Sequence, residues 1–292
     1  MSQDPFLTHR SLLFTVAYEM LSSAVDAEDV VQEAWLRWAD LGQDGQSGVR
    51  DPRAYLVRIV TRQALNRLRT VARRREEYVG EWLPEPVLTS PDVAEDVELA
   101  ESISIAMLTL LETLTPIERA VFVLREVFDV PYEEIAETVG KTTASVRQIA
   151  HRARKHVAAR RPRMHVDRTE QERVVERFLA AVTTGDVQGL MDVLAPDVIL
   201  VADGGGVAQA ARHPVAGADR VMAYLAAVPR VVTEAEVSTL WINGAPAARI
   251  DSAQFGTTVI TLALENGRIT RIYAMRNPHK LARLHEPAEL TR

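Results

Sequence analysis

Through the first 160 residues, apolar positions recur at helical spacing. In AEDVVQEAWLRWADL, Val31, Ala34, Trp35 and Trp38 fall at i, i+3, i+4 and i+7 and form one stripe of a helix. Asp26 is placed to cap that helix, and Gly42 follows its end. The stretch GQDGQSGVRDP, with three glycines and a proline, then breaks the chain. A long helix is predicted from about Pro52 to Glu77, with Leu56, Val60, Ala64, Leu68 and Val71 along one side. Farther on, Thr115-Pro116-Ile117-Glu118 spells a capping box with proline at the first helical position, opening a helix through ERAVFVLREVF. A short helix in PYEEIAETVG ends at Gly140, and another runs from about Thr143 to Ala159, turning Val146, Ile149, Ala150, Ala153 and Val157 inward. A helix, a glycine turn and a basic helix make the helix-turn-helix pattern. Between the two helical blocks, residues 79–100 carry three prolines and many acids and read as a linker without elements of its own.

Beyond residue 168 the period changes. Helices are predicted over EQERVVERFLAAVTTG and VQGLMDVL, then a strand, DVILVA, then a further helix in ADRVMAYLAAV. Strands follow in EAEVSTLWI, AARIDS, FGTTVITLAL and RITRIYAM, and Asn243-Gly244 and Asn266-Gly267 are strong hairpin turns. Helices followed by antiparallel hairpins predict an α+β cone or roll, joined to the preceding block by the arginine-rich stretch 160–168.

A length of 292 residues suits two or three domains, and 47% hydrophobic with 25% charged residues suits a globular chain. The absence of cysteine excludes a disulfide scaffold, cysteine-ligated zinc and thiol chemistry, and agrees with a reducing compartment. The N-terminus lacks the pattern of a signal peptide, and no apolar run reaches the ~18 residues of a spanning helix, so a cytoplasmic protein without membrane contact is expected.

Net charge is −6, but the distribution matters more than the sum. Residues 76–120 hold 11 acids and one base, whereas residues 121–165 hold nine bases and five acids. From Arg53 to Arg75 there are eight arginines and no acid, and a second acid-free basic run extends from Thr142 to Arg163. Such clusters neutralise phosphates and release counterions, which points to nucleic acid, although a single cluster is equally a solvated helix face. On the long helix, Arg58, Arg62, Asn66, Arg69 and Arg73 form a stripe at steps of four or three. On the helix from Thr143, with Ser145 in its first turn, Arg147, Gln148, His151, Arg154 and Lys155 face outward. Arg147 and Gln148 are suited to base edges, and Arg152, Arg154 and Lys155 to phosphates.

Two features stand apart. Trp82-Leu83-Pro84-Glu85-Pro86 in the linker is either an anchor packed on the nearest domain or a proline-stiffened docking peptide. Asp203-Gly204-Gly205-Gly206 invites close backbone approach. Asp203 and His213 are the candidates for a pocket acid and base, but a turn carboxylate and an exposed loop imidazole account for them better, so catalysis is not expected.

The runs DAEDVVQEAWLRW, DPRAYLVRIVTRQALNRLR and LTPIERAVFVLREVFDVPYEEIAETVGKTTASVRQIAHRARKHV resemble a bacterial extracytoplasmic-function (ECF) sigma factor. WLPEP, DGGG and Asn277-Pro278-His279-Lys280-Leu281 add a resemblance to the SigJ-type subgroup, which carries a fused SnoaL-like (NTF2-like) extension. A basic residue follows DGGG in that subgroup, where this chain has Val207.

The resemblance implies a multidomain fold: two all-α sigma domains, the second with a helix-turn-helix, plus an α+β SnoaL-like/NTF2-like cone. Residues 1–78 would be sigma domain 2, 79–100 the acidic linker, 101–162 sigma domain 4, and 168–285 a regulatory SnoaL-like domain. It implies that Asp29, Gln32 and Glu33 grip the β′ clamp helices of core RNA polymerase. It implies that Arg58, Arg62, Asn66, Arg69 and Arg73 melt and read the minus-ten element, with the amide of Asn66 holding an unstacked base. Thr143, Ser145, Arg147, Gln148, His151, Arg152, Arg154 and Lys155 would read the minus-thirty-five element. The acidic linker would thread near the polymerase's RNA exit path.

The expected partners are core RNA polymerase, through its β′ and β subunits, and promoter DNA. No cofactor and no metal is expected, and a small-molecule ligand of the C-terminal domain is left open. The glycine loop is expected to receive the chain's own linker, with Trp82, Leu83, Pro84, Glu85 and Pro86 set against Asp203, Gly204, Gly205, Gly206, Asn277, Pro278, Lys280 and Leu281. That contact would let the extension modulate the sigma domains in cis. The competing readings are a SnoaL-type enzyme fused to a regulator, which needs turnover by the C-terminal part, and an ordinary helix-turn-helix repressor, which needs neither the first block nor the Asn66 stripe.

Overall fold

Short polar caps set the helix boundaries of the first half of the chain. The structure, a computed structural model, describes residues 4–160, 168–226 and 235–292. The expected joint at 160–168 and the end of the ADRVMAYLAAV helix therefore lie largely outside the described residues. Contacts divide the chain into two units: Met1–Glu76 with Met107–Arg161 and Glu289–Arg292, and Glu77–Ala106 with Pro162–Ala288.

In the first unit, α1 (Pro5–Leu21) begins with Pro5 at its first position and the Asp4 carboxylate accepting from Phe6 N–H. α2 (Ala24–Ala39) is capped by Ser23, whose hydroxyl accepts from Asp26 N–H. The expected cap, Asp26, instead sits inside the first turn, buried and held by arginines. The serine wins because it occupies the extended residue just before the first helical turn. Of the expected stripe on α2, Val31, Ala34 and Trp38 are buried, but Trp35 remains 43% exposed. Ala27 and Val30 are buried in its stead. They stand four residues before Val31 and Ala34, one turn away on the same face, so the buried stripe is displaced away from Trp35. The glycine-rich stretch after α2 is not an open loop but a short helix, α3 (Gly42–Ser47).

α4 (Pro52–Glu76) buries Leu56, Val60, Ala64, Leu68 and Val71. α6 (Ile105–Leu111) leads to α7 (Pro116–Phe122), which opens with the full Thr115–Glu118 capping box and loosens into one π turn, Val123–Val127. α8 (Tyr132–Val139) stops at Gly140, whose φ of 66° is a left-handed cap that glycine adopts without strain. α9 (Thr143–Ala158) is capped by the Thr142 hydroxyl. Arg119, from α7, is buried and donates to the Glu19 carbonyl at 2.9 Å and the Ser22 hydroxyl at 2.6 Å, so it ties α7 to the end of α1. Burial pushes the pKa of its guanidinium down to about 10, still charged at neutral pH. Thr291 N–H near the C-terminus donates to the Thr15 hydroxyl of α1 at 3.1 Å, a contact without a signal in the sequence.

The second unit is α+β. Its six strands are β1 (Leu194–Asp203), β2 (Val215–Ala216), β3 (Glu236–Ile242), β4 (Ala245–Ser252), β5 (Gly256–Glu265) and β6 (Arg268–Met275), in the order β2-β1-β6-β5-β4-β3. β1 and β6 run parallel and the other pairs antiparallel. Both Asn-Gly turns have positive φ at both residues, the geometry that favours a two-residue hairpin. One sheet face packs against α10 (Arg168–Thr184), α11 (Val187–Val193) and α12 (Ala218–Leu225), around Phe178, Leu200, Ile250, Ile260 and Ile272.

The other face is covered by part of the segment expected to be a linker without elements of its own, together with residues expected in the second helical block. Leu83, Ile105 and Ala106 pack with Ile242, Ala247, Val259, Ala263, Tyr273 and Met275. The segment also has elements of its own, a 3-10 turn at Pro91–Glu95 and α5 (Val97–Ile103). Composition hid this because its few apolar residues are spaced to meet a distant sheet rather than to make a periodic stripe. Among the described residues, no helix is long and apolar enough to cross a membrane.

Candidate nucleic-acid interface and linker cluster

α4 is held on α2 by a carboxylate cluster. The buried Asp26 accepts from Arg67 Nε at 2.7 Å and from Arg74 Nη2 at 2.7 Å. Burial alone raises the Asp26 carboxyl, but the Arg67 and Arg74 hydrogen bonds outweigh it, and its pKa lies below the ordinary value. Arg67 also contacts Asp29, so Asp29 is engaged inside the unit. Gln32 and Glu33 lie exposed on α2, beside exposed Trp35 and Leu36. Nothing in the sequence singles out that apolar pair next to polar residues, because helical spacing assigns Trp35 to the core.

Along α4, Asn66, Arg69 and Arg73 are exposed and make no hydrogen bond or ion pair among the described residues. Arg58 and Arg62 differ. Arg62 donates to the carbonyls of Glu137 at 2.8 Å and Thr138 at 3.2 Å, and Arg58 pairs with Glu137 at 3.5 Å. Both therefore reach the end of α8, so the predicted stripe is part open and part occupied. At the far end of α4, Arg75 pairs with Glu112 at 2.6 Å.

On α9, Val146, Ile149, Ala150, Ala153 and Val157 are buried, while Arg147, Gln148, His151, Arg152, Arg154 and Lys155 are exposed. Thr143 and Ser145 are half-buried in the first turn, where Ser145 N–H donates to the Thr142 cap. Arg147 pairs with Glu133 at 3.2 Å, and Arg154 with Glu126 at 2.7 Å. Both acids lie in the same helical block, so these pairs orient the two arginines without covering the face.

In the second unit, the end of β1 gathers the linker. Asp203 is fully buried and accepts from Tyr78 Oη, from Leu83 N–H at 3.0 Å and from Lys280 Nζ at 2.7 Å. Lys280 also donates to the Leu83 carbonyl and lies 3.5 Å from the centroid of the Trp82 ring and 4.9 Å from that of Tyr78. The buried carboxylate thus neutralises the buried ammonium, and two aromatic faces stabilise that cation, around Leu83, whose side chain is fully buried. Burial first, and then the Asp203 contact, raise the Tyr78 phenol far above its ordinary value, so it stays a donor.

The glycines are needed for close approach. A Cβ on Gly205, at φ 63°, would lie 2.3 Å from the Asn277 amide, and one on Gly206, at φ 71°, 3.0 Å from Val79. Asn277 Nδ2 donates to Tyr78 Oη at 2.7 Å. Pro84, Glu85 and Pro86 are buried in the linker, and Leu281 packs against the same sheet face. Pro278 and His279 are exposed, with Pro278 opening α13 (Pro278–Leu281). His213 is an exposed loop residue, and Val207 is 64% exposed.

A second set of linker contacts has no signal in the sequence. Asn243, at the β3–β4 turn, accepts from Val87 N–H at 3.0 Å and donates to the Ile103 carbonyl at 2.6 Å. Thr89 N–H donates to the Trp241 carbonyl at 2.9 Å, and its hydroxyl accepts from Gly244 N–H at 3.1 Å. The Asn-Gly pair signals a hairpin, but nothing in one sequence signals that the same turn grips a segment 140 residues away.

Residues 6–75 match the family description Sigma-70 region 2, and residues 104–157 match Sigma-70, region 4. The ECF RNA polymerase sigma factor SigJ of Mycobacterium tuberculosis is 40% identical over 77% of this chain and 72% of its own length. The chain belongs to the ECF sigma factor family. The probable ECF sigma factor SigI of the same species is 33% identical over 94% of this chain and 92% of its own length. The crystal structure of M. tuberculosis SigJ superposes with a TM-score of 0.78 at 32% identity, covering 96% of this chain and 98% of that one. As an ECF sigma factor, the chain is a transcription initiation factor that works with core RNA polymerase at specific promoters. α4 then lies in region 2, and α7 to α9 in region 4.

Proposed function

We propose that this ECF sigma factor is modulated in cis by its C-terminal α+β domain, which grips the segment joining regions 2 and 4. The observation that carries this reading is the Lys280 ammonium, shared between Asp203 and the Leu83 carbonyl beneath the Trp82 ring. The region 2 match ends at residue 75 and the region 4 match begins at residue 104, so a domain that holds residues 77–106 limits how far the two regions can separate. Polymerase engagement requires each region to reach its own promoter element. In that reading Gln32 and Glu33, with Asp29 behind them, contact the β′ subunit. Arg58, Arg62, Asn66, Arg69 and Arg73 open and read the minus-ten element, and α9 reads the minus-thirty-five element through Thr143, Ser145, Arg147, Gln148, His151, Arg152, Arg154 and Lys155. The occupation of Arg58 and Arg62 by the end of α8 supports a state in which part of the minus-ten face is unavailable until regions 2 and 4 part.

The test is single-round transcription with core polymerase and a promoter carrying both elements. Trp82→Ala and Lys280→Met should change the transcript yield several-fold while leaving the affinity of the chain for core polymerase unchanged. Yields equal to wild type in both variants, with folding preserved, would remove the cis-modulation reading and leave the sigma assignment standing.

A further inference from the structure

The sheet face opposite the linker does not close completely over its helices. A cavity of about 340 Å³ lies between the sheet, α12 and the loop before β2. Its floor is Leu200, Ile260, Ile272 and Ala274, and its wall includes Tyr224 and Ala211. Volumes of roughly 300 Å³ and above are those of ligand sites rather than packing defects. Small residues at the lining leave room that a larger side chain could have filled, and an unfilled apolar cavity forfeits dispersion contacts.

Gln209, Ser252 and Thr258 add polar atoms at the lining, and one group carries a charge. Arg276 is the charged residue among the described lining residues. Its Nη1 donates to the Gln209 carbonyl and its Nη2 to the Phe255 carbonyl at 3.0 Å, while its Nε is buried without a hydrogen-bond partner among the described residues. It makes no ion pair with any described carboxylate. A guanidinium at the cavity that spends one N–H of each terminal nitrogen on a neutral carbonyl, and pairs with no described carboxylate, is suited to receive an anion in a charge-assisted hydrogen bond through the remaining N–H groups of those nitrogens. With no second cation among the described lining residues, the site suits one negative charge and not a phosphate dianion.

We infer that this cavity binds an amphiphilic monocarboxylate, its carboxylate on Arg276 and its apolar body over Leu200, Ile260 and Ile272. The inference goes beyond the docking reading and does not depend on it. It does place the anion next to the linker cluster, because Arg276 and Asn277 both donate their backbone N–H to the Asp203 carbonyl, at 2.7 and 3.1 Å.

The experiment is calorimetric titration of the full chain with octanoate and, separately, with 1-octanol. Octanoate should bind saturably, 1-octanol at least tenfold more weakly. Arg276→Gln should weaken octanoate at least tenfold while leaving 1-octanol unchanged, and Ala211→Phe, which fills the cavity, should abolish both. Thermal unfolding of each variant establishes that it is folded. Absence of saturable octanoate binding, equal affinity for octanoate and 1-octanol, or wild-type affinity in Ala211→Phe would each overturn the inference. Should Arg276→Gln not fold, the alcohol comparison and Ala211→Phe decide alone. Because binding is read directly, a negative result leaves the transcription test of the linker cluster untouched.

Discussion

α4 and α9 carry similar basic stripes, yet their surroundings differ. On α4, Arg67 and Arg74 hold the buried Asp26, Arg75 holds Glu112, and Arg58 and Arg62 reach α8. On α9, the two pairs that form, Arg147–Glu133 and Arg154–Glu126, stay at the surface of one helical block, and Gln148, His151, Arg152 and Lys155 make none among the described residues. Arginine density alone therefore does not distinguish a helix whose basic face stays open from one that also clamps its own domain. The acids decide it: Asp26 and Glu112 lie elsewhere in the sequence and meet α4 only after folding.

The largest expected effect tests the clamp. Asp26→Asn should lower the unfolding free energy by about 2 kcal/mol, less than the full loss of a buried pair because Arg74 is half exposed. The acid limb should change with it. The Asp26 pKa is depressed below its ordinary 3.8, so its stabilisation is in force above that value and fades as pH falls through the lower folded-state value. Wild type should lose stability in that window, and Asp26→Asn should lose less; denaturant melts from pH 5 downward check both.

Next, the proposed base-contacting role of α9 is tested by Arg147→Ala, expected to weaken promoter binding of the holoenzyme by roughly 1–3 kcal/mol and to relax preference at one base position. Binding to a panel of single-base promoter variants measures this. Equal losses on all of them would make Arg147 a phosphate contact.

A smaller effect probes the occupied half of the α4 stripe. Glu137→Arg reverses the exposed partner of Arg58 and should raise transcript yield about two- to fivefold, the scale of an exposed pair. Wild-type yield would mean that the α4–α8 contact does not limit initiation. Smallest of all, Lys155→Ala should leave sequence preference intact and reduce the slope of log K against log salt by about 1. A salt titration of promoter binding gives the slope directly.

The helices of the first unit were legible because their signals are local. The Thr115–Glu118 box, the Gly140 stop and the apolar spacing of α4 and α9 each act within one or two turns. Trp35 shows the limit: helical spacing finds a stripe of about the right width but not which edge of it stays exposed. The linker shows a larger one. Its prolines and acids predict a linker without elements of its own, yet a helix starts at Val97 and Leu83 lies in an apolar cluster with β5 and β6.

By itself, the sequence determined the long helices and the main strands, the helix-turn-helix, both Asn-Gly hairpins and the membership of two basic stripes. These depend on interactions among residues close in the chain, where propensity, capping and periodicity act. Only the tertiary structure decided that Asp26 clamps α4, that Arg58 and Arg62 meet α8, and that the linker forms the second layer of the sheet. The approach of Leu83 to Asp203 and Lys280 was expected from the family resemblance, and the tertiary structure supplies its geometry, a buried charge cluster. Those contacts join residues from about 40 to nearly 200 positions apart. Their stabilisation comes from burial and charge pairing that exist only once distant segments have met.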